Sequence, residues 1–189
     1  MFALLVPLLV ACGDDGECPV ITEGEGRVVV GFWENDDCSG EPVTTNSFPI
    51  AEHLLKHSKN TIMLSGGAIY REQNIILSPF ENDVTRNFYA RRMFMGAQGI
   101  GPLGLMEADP LLIQAEQKLI GQADELVVLV DSSKFEPRSS LVLCPLTRIG
   151  TIITDDRITD KNAAMVEAAE INLIVAEAGV GQAEDEAAS

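Results

Sequence analysis

Three features of the chain predict an α/β fold built on a mostly parallel sheet. The first is an unbroken aliphatic run, Leu126 to Val130, that stops at Asp131-Ser132-Ser133-Lys134. An apolar run this short, with β-branched residues and a polar stop, reads as a strand buried on both faces. The second is a helix bracketed by chemistry at both ends, with Asp109 as cap, Pro110 in the first position and Gly121 as stop. The third is the alternation of strand-like and helix-like segments from residue 43 to 178, the pattern of a sheet flanked by helices.

Taken in order, the chain opens with an apolar stretch, Met1 to Ala11, ending in Leu9-Val10-Ala11-Cys12. This resembles the lipobox of a bacterial lipoprotein signal, in which the cysteine takes a lipid anchor, although no Lys or Arg precedes it and Pro7 interrupts it. Read as structure, the same stretch is a buried or frayed first strand. Residues 13–41 are rich in Gly, Asp and Glu, and Cys18 and Cys38 are placed to close a loop around a hairpin at Gly26 to Trp33. In an oxidising compartment that disulfide would add about 3 kcal/mol; in the cytoplasm the thiols stay reduced.

From Pro42 the character changes. Ser47 caps a helix reaching Lys56, with Pro49 tolerated in its first turn. A strand at Thr61 to Ser65 leads into Gly66-Gly67. An extended piece at Asn74 to Ser78, a helix at Glu81 to Tyr89 and a strand at Met93 to Ala97 with a glycine-rich turn follow. In the Asp109-capped helix, Leu111, Leu112, Ala115 and Leu119 fall at helical spacing. Beyond strand 126–130 come strands at 141–143 and 151–153, a helix at Lys161 to Glu170 and a strand at Ile171 to Val175. Glu184-Asp185-Glu186 among alanines reads as a solvated tail. The expected organisation is a leader over 1–42, a single α/β domain over 43–178 and an acidic tail over 179–189.

At 189 residues the chain has room for one substantial core. Its net charge of −16 argues against direct DNA binding, because nucleic-acid phosphates would repel it. The acidity is uneven: residues 1–42 carry nine acids against Arg27, whereas 43–100 carry six bases against four acids. The four cysteines show no zinc spacing, and no segment approaches the roughly 20 apolar residues that span a bilayer. No cofactor and no metal site is expected. His53 and His57 share a helix face but have no third ligand nearby in sequence, and Cys144 beside Pro145 reads as a small buried hydrophobe.

Residues 44–178 resemble the carboxy-terminal effector-sensing domain of DeoR-type bacterial transcription regulators, which shares its fold with sugar-phosphate isomerases. The resemblance rests on Thr45-Asn46-Ser47-Phe48-Pro49-Ile50-Ala51, Gly66-Gly67 with Arg71, Gly96-Ala97-Gln98-Gly99-Ile100, Asp131-Ser132-Ser133-Lys134-Phe135 and Ile153-Thr154-Asp155, in matching order and spacing. It does not reach residues 1–43. It implies a Rossmann-like, mostly parallel sheet of the sugar-phosphate isomerase type. It also implies that the amino-terminal strand and its phosphate-binding Asp-x-Gly-Ser-Thr loop are missing here, together with the helix-turn-helix. A lost strand would leave a sheet edge open to another subunit, so a homo-oligomer is expected.

Ligands of such sheets settle beyond the carboxyl ends of the strands, where Asp131, Ser132, Ser133 and Lys134 fall. Two hydroxyls and an ammonium there suit a phosphorylated sugar. Gly66 and Gly67, read alone, are a turn pair; the resemblance makes them, with Arg71, an anion contact. Gln98, beside Gly99, stands where the isomerases supply acids and many of the regulators carry Asp. An amide binds hydroxyls but cannot shuttle a proton. Gly99-Ile100-Gly101-Pro102-Leu103-Gly104 spells a dinucleotide fingerprint, but Pro102 removes a donor and no helix follows directly. The resemblance, taken with these residues, therefore implies a cytoplasmic sensor domain that binds a phosphorylated sugar without catalysis. The alternatives are an envelope lipoprotein, membrane-bound only if Cys12 is lipidated and with Cys18 joined to Cys38, and a sugar-phosphate isomerase.

Overall fold

The computed structural model describes residues 42–71, 73–78, 87–136 and 141–176, together with the backbone of strands at 8–10, 20–24 and 27–31. The strands are β1 (Leu8–Val10), β2 (Val20–Gly24), β3 (Arg27–Gly31), β4 (Pro42–Thr45), β5 (Thr61–Leu64), β6 (Ala68–Tyr70) and β7 (Ile75–Leu77). They continue as β8 (Ala90–Met95), β9 (Gly99–Gly101), β10 (Gly104–Glu107), β11 (Ala123–Leu129), β12 (Leu141–Cys144), β13 (Thr151–Asp155) and β14 (Asn172–Ala176). Three helices accompany them: α1 (Phe48–His57), α2 (Pro110–Ile120) and α3 (Asp160–Ala168).

The central sheet has the order β14-β13-β11-β8-β1-β4-β5. All its strands run in one direction except β1, which is antiparallel to both β4 and β8. The aliphatic run explains the middle of this sheet. Leu126, Val127 and Val128 are fully buried in β11 between two parallel neighbours, and a strand covered on both faces has no polar side to expose. Side-chain parity then builds two layers. Met93, Met95, Leu126, Val128 and Ile152 pack on one face with Leu119 of α2 and Val166 of α3, while Val43, Phe94, Val127, Ile153 and Ile174 pack on the other with Leu54 of α1.

The helix ends follow the capping residues. Ser47 accepts from the Ile50 amide, Asp109 from the Leu111 amide and Thr159 from the Asn162 amide, satisfying donors that would otherwise be orphaned. Gly121 closes α2 as expected, with its amide donating to the Gln117 carbonyl.

Several features differ from the sequence expectations. The gap that a lost amino-terminal strand would leave is occupied: β1 lies inside the sheet, so the sheet's edges are β14 and β5. The glycine-rich turn after β8 is a β-hairpin, with Ile100 opposite Leu105, and β12 completes a separate three-stranded sheet in the order β12-β10-β9. A dinucleotide fingerprint needs strand, turn and helix, so strand-turn-strand removes that reading. Gly104 is required at this hairpin: its φ is +131°, and a Cβ there would collide with the Cys144 carbonyl. Most of the helix expected over Glu81 to Tyr89, and Cys12, Cys18 and Cys38 with the acidic tail, lie outside the described residues. Among the described residues, no helix is long and apolar enough to cross a membrane.

Candidate ligand-binding site

Because six strands of the central sheet point the same way, their carboxyl ends form one rim, and the candidate residues lie along it. At the end of β11 the chain turns through Asp131 into a short 3-10 helix, Ser132–Phe135. Asp131 shapes this turn from within: its side chain accepts from the Ser133 amide at 2.9 Å and its carbonyl from the Lys134 amide at 2.9 Å. Asp155, at the end of the neighbouring β13, fixes it from outside by accepting the Ser132 amide at 2.7 Å. The other oxygen of Asp155 accepts from Arg157, from Nε and from the backbone amide, both at 3.0 Å. Burial alone would raise the Asp155 carboxyl, but the hydrogen bonds from Arg157 and Ser132 outweigh it and hold the group well below the usual carboxylate range. Phe135 anchors the turn by burying its ring in the core.

The hairpin β9–β10 lies beside this turn, with β9 against Ser132–Phe135. Gln98 enters it by donating its backbone amide to the Met106 carbonyl at 3.1 Å, and Gly99 is buried in β9. The structure therefore brings Gln98 and Gly99 to Asp131, Ser132, Ser133 and Lys134. It does not bring Gly66, Gly67 and Arg71 to the same place. They follow β5, four strand spacings from β11, roughly 19 Å at the backbone. Gly67 has a packing reason of its own, since a Cβ there would collide with the Leu77 carbonyl of β7. Arg71 is exposed in the turn joining β6 to β7, at the end of the hairpin away from Gly67.

Sequence reasoning missed two groups on this rim. Glu107, at the end of β10, is 4% exposed; burial raises its carboxyl pKa, opposed by the amides of Ala108 and Asp109 and by the charge of Lys134. Glu116 on α2 is 7% exposed, and burial together with the charge of Glu107 lifts its pKa to about 8. Its place on the helix gives a signal in retrospect, because it lies four residues from Leu112 and three from Leu119, on the apolar stripe. The second group is Thr44, Asn46 and Ser65, which are 2%, 4% and 7% exposed and sit where β4 and β5 end. Among the described residues, Thr44 Oγ1, Asn46 Oδ1 and Ser65 Oγ have no hydrogen-bond partner.

Cys144 packs in the core, its thiol pushed up to about 11 by burial. The rings of His53 and His57 lie 4.6 Å apart on α1, and among the described residues no group of three or more metal-ligating side chains assembles.

A mostly parallel α/β sheet with hydroxyls, amides and a lysine along its carboxyl rim defines a small-molecule-binding domain. The comparison with known families makes this specific: residues 39–156 match the DeoR C terminal sensor domain, and the chain belongs to that family. Over 162 residues it is 30% identical to the HTH-type transcriptional regulator UlaR of Shigella dysenteriae serotype 1. The UlaR regulator of Escherichia coli strain K12 / DH10B matches at the same identity over the same length. The match covers 84% of this chain and 62% of each relative, so the chain spans less than two thirds of their length.

Proposed function

We propose that this chain is the effector-binding part of a DeoR-type regulator of sugar metabolism and that its effector is a phosphorylated sugar, bound but not converted. The observation that carries this reading is the Asp131–Lys134 turn, held at the end of a central strand by Asp155, in a chain of the sensor-domain family. In it Lys134 supplies the point charge for the phosphate, Ser132 and Ser133 supply hydroxyls, and Gln98 and Gly99 line the neighbouring side. Gly66, Gly67 and Arg71 form the far end of the same rim. The working unit is residues 43–178 together with β1, which completes the central sheet, with 179–189 as tail; it acts in the cytoplasm as a homo-oligomer. In the whole regulator, effector binding shifts an equilibrium between conformations of different DNA affinity.

Catalysis is the weaker reading for this rim. Isomerisation of a sugar phosphate needs a group that takes and returns a proton. Gln98, standing where the resemblance leads one to expect an acid, has none. Product formation from any pentose or hexose phosphate would establish the isomerase instead.

The test is Lys134→Ala, followed by calorimetric titration with ribose 5-phosphate, fructose 6-phosphate and glucose 6-phosphate. Loss of at least tenfold in affinity, with an unchanged unfolding midpoint, is the expected result. Equal affinity in wild type and variant removes Lys134 from the site.

A further inference from the structure

We infer that Thr44, Asn46 and Ser65 form a second, uncharged subsite that receives the hydroxyl-bearing end of the effector; this rests on the sugar-phosphate reading above and assigns the ligand its direction. Register places the three together. Thr45 is opposite Leu64 in the parallel pair β4–β5, so Asn46 falls opposite Ser65, and the Ser65 amide donates to the Thr45 carbonyl at 3.4 Å. Thr44 lies in β4 and Asn46 one residue past its end, two apart, so extended backbone turns them to the same face. That face is opposite the one on which Val43 and Ile62 pack, so it is the side where α2 lies.

Each of the three is more than nine-tenths buried, and each keeps a polar side-chain atom without a partner. Native interiors pair such atoms, because an unpaired one costs its lost hydration. The contrast with neighbouring Thr45 is direct: its hydroxyl accepts the Ser47 amide at 3.1 Å. The chemistry of the ligand follows from the donor set. A carboxamide oxygen only accepts and would repel phosphate, while two alcohols both donate and accept. Such an uncharged set, with the acceptor Asn46 Oδ1 unpaired, suits neighbouring hydroxyls of a polyol chain, which donate as well as accept, better than an anion, which only accepts. β4 and β11 are three strand spacings apart, roughly 14 Å at the backbone, a span that the side chains on both sides shorten toward the length of a phosphorylated sugar. The phosphate then lies toward Lys134 and the hydroxyls toward Asn46.

Two variants of the full chain test this, using the same three sugar phosphates and inorganic phosphate as the probe for the anion subsite alone. Thr44→Val with Ser65→Ala keeps shape and removes both hydroxyls; Asn46→Leu keeps the volume and removes the carboxamide. Both are expected to fold, the first with an equal or higher midpoint because it removes unpaired buried groups. Both are expected to bind the sugar phosphates at least tenfold more weakly while inorganic phosphate competes as well as before. Unchanged affinity for the sugar phosphates, or an equal loss for inorganic phosphate, overturns the hydroxyl subsite and leaves the sensor reading standing. If wild type binds none of the three sugars, the sensor reading fails, and the subsite with it.

Discussion

The two ends of the central sheet treat their polar groups differently. At the amino ends of the strands the charged side chains pair with one another or with backbone carbonyls, although Gln122 Oε1, beside the start of β11, has no partner among the described residues. Arg92 of β8 and Glu125 of β11 face each other in register and meet at 2.8 Å, and the second oxygen of Glu125 accepts the Thr151 hydroxyl at 3.0 Å. Tyr89 donates to Asp124, and Arg148 closes the carboxyl end of α2 by donating to the Ile120 carbonyl at 2.7 Å and to that of Ala123. At the carboxyl ends, Thr44, Asn46, Ser65 and Thr154 are buried with side-chain oxygens unmatched. The amino end uses its charged side chains to fix the strands, whereas the carboxyl end holds a cluster of uncharged buried groups unmatched beside its own matched aspartates. A domain that must hold its shape while admitting a ligand needs both ends.

Glu116 separates two kinds of unmatched group, and it gives the largest expected effect. Its Oε2 also has no partner, but a carboxyl can escape by keeping its proton, which a hydroxyl or amide cannot. Its pKa is raised from 4.5 to about 8, so between these values the folded state holds more protons than the unfolded one. The contribution of this group is then fully present below pH 4.5 and falls as pH rises toward 8, by up to about 1.4 kcal/mol per pH unit. Glu116→Gln should flatten that fall. Urea unfolding at pH 5, 6, 7 and 8 measures it, and equal slopes in wild type and variant would mean that Glu116 ionises normally.

The matched end is broken most directly at Arg148. Arg148→Ala leaves the carbonyls of Ile120 and Ala123 without their charged donor and should cost about 3 kcal/mol, since hydrogen bonds to charged groups are the stronger kind. Sugar-phosphate affinity at the opposite rim should not change. A drop in affinity at constant fold would show that the two ends are coupled rather than separate.

What the sequence made legible was mostly local. The run from Leu126, the Asp109-Pro110 start of α2 and the Ser47 cap each depend on a few neighbouring residues, and each appears where it was expected. The family resemblance was legible for the same reason, as short motifs at fixed spacing. The hairpin β9–β10 was not, because Gly99 to Gly104 has the glycine spacing of a strand-to-helix turn, and only the pairing of β10 with β12, more than thirty residues on, decides otherwise. The unmatched groups were hidden as well. Side-chain parity puts Thr44 and Asn46 on one face, but whether that face buries them, and whether Ser65 is their neighbour, depends on the register of β5. Asp155 stood inside a motif without a role, because its contact with Ser132 crosses 23 residues.

Asp155 supplies the smallest expected effect on stability and the sharpest test of the turn. Its carboxylate is partly exposed and shared between Ser132 and Arg157, so Asp155→Ala should cost about 1 kcal/mol. The folded-state pKa lies below the ordinary 3.8, so this contribution is present above pH 3.8 and is lost as pH falls through the folded value. Acid unfolding from pH 5 to pH 2 should therefore begin from a lower plateau in the variant and fall less steeply below pH 3.8. Binding should suffer more than stability, because freeing the Ser132 amide loosens the turn that carries Ser133 and Lys134. If sugar-phosphate affinity survives Asp155→Ala while Lys134→Ala abolishes it, the ammonium alone carries the anion. Loss in both would show that the ammonium works only where the end of β13 holds it.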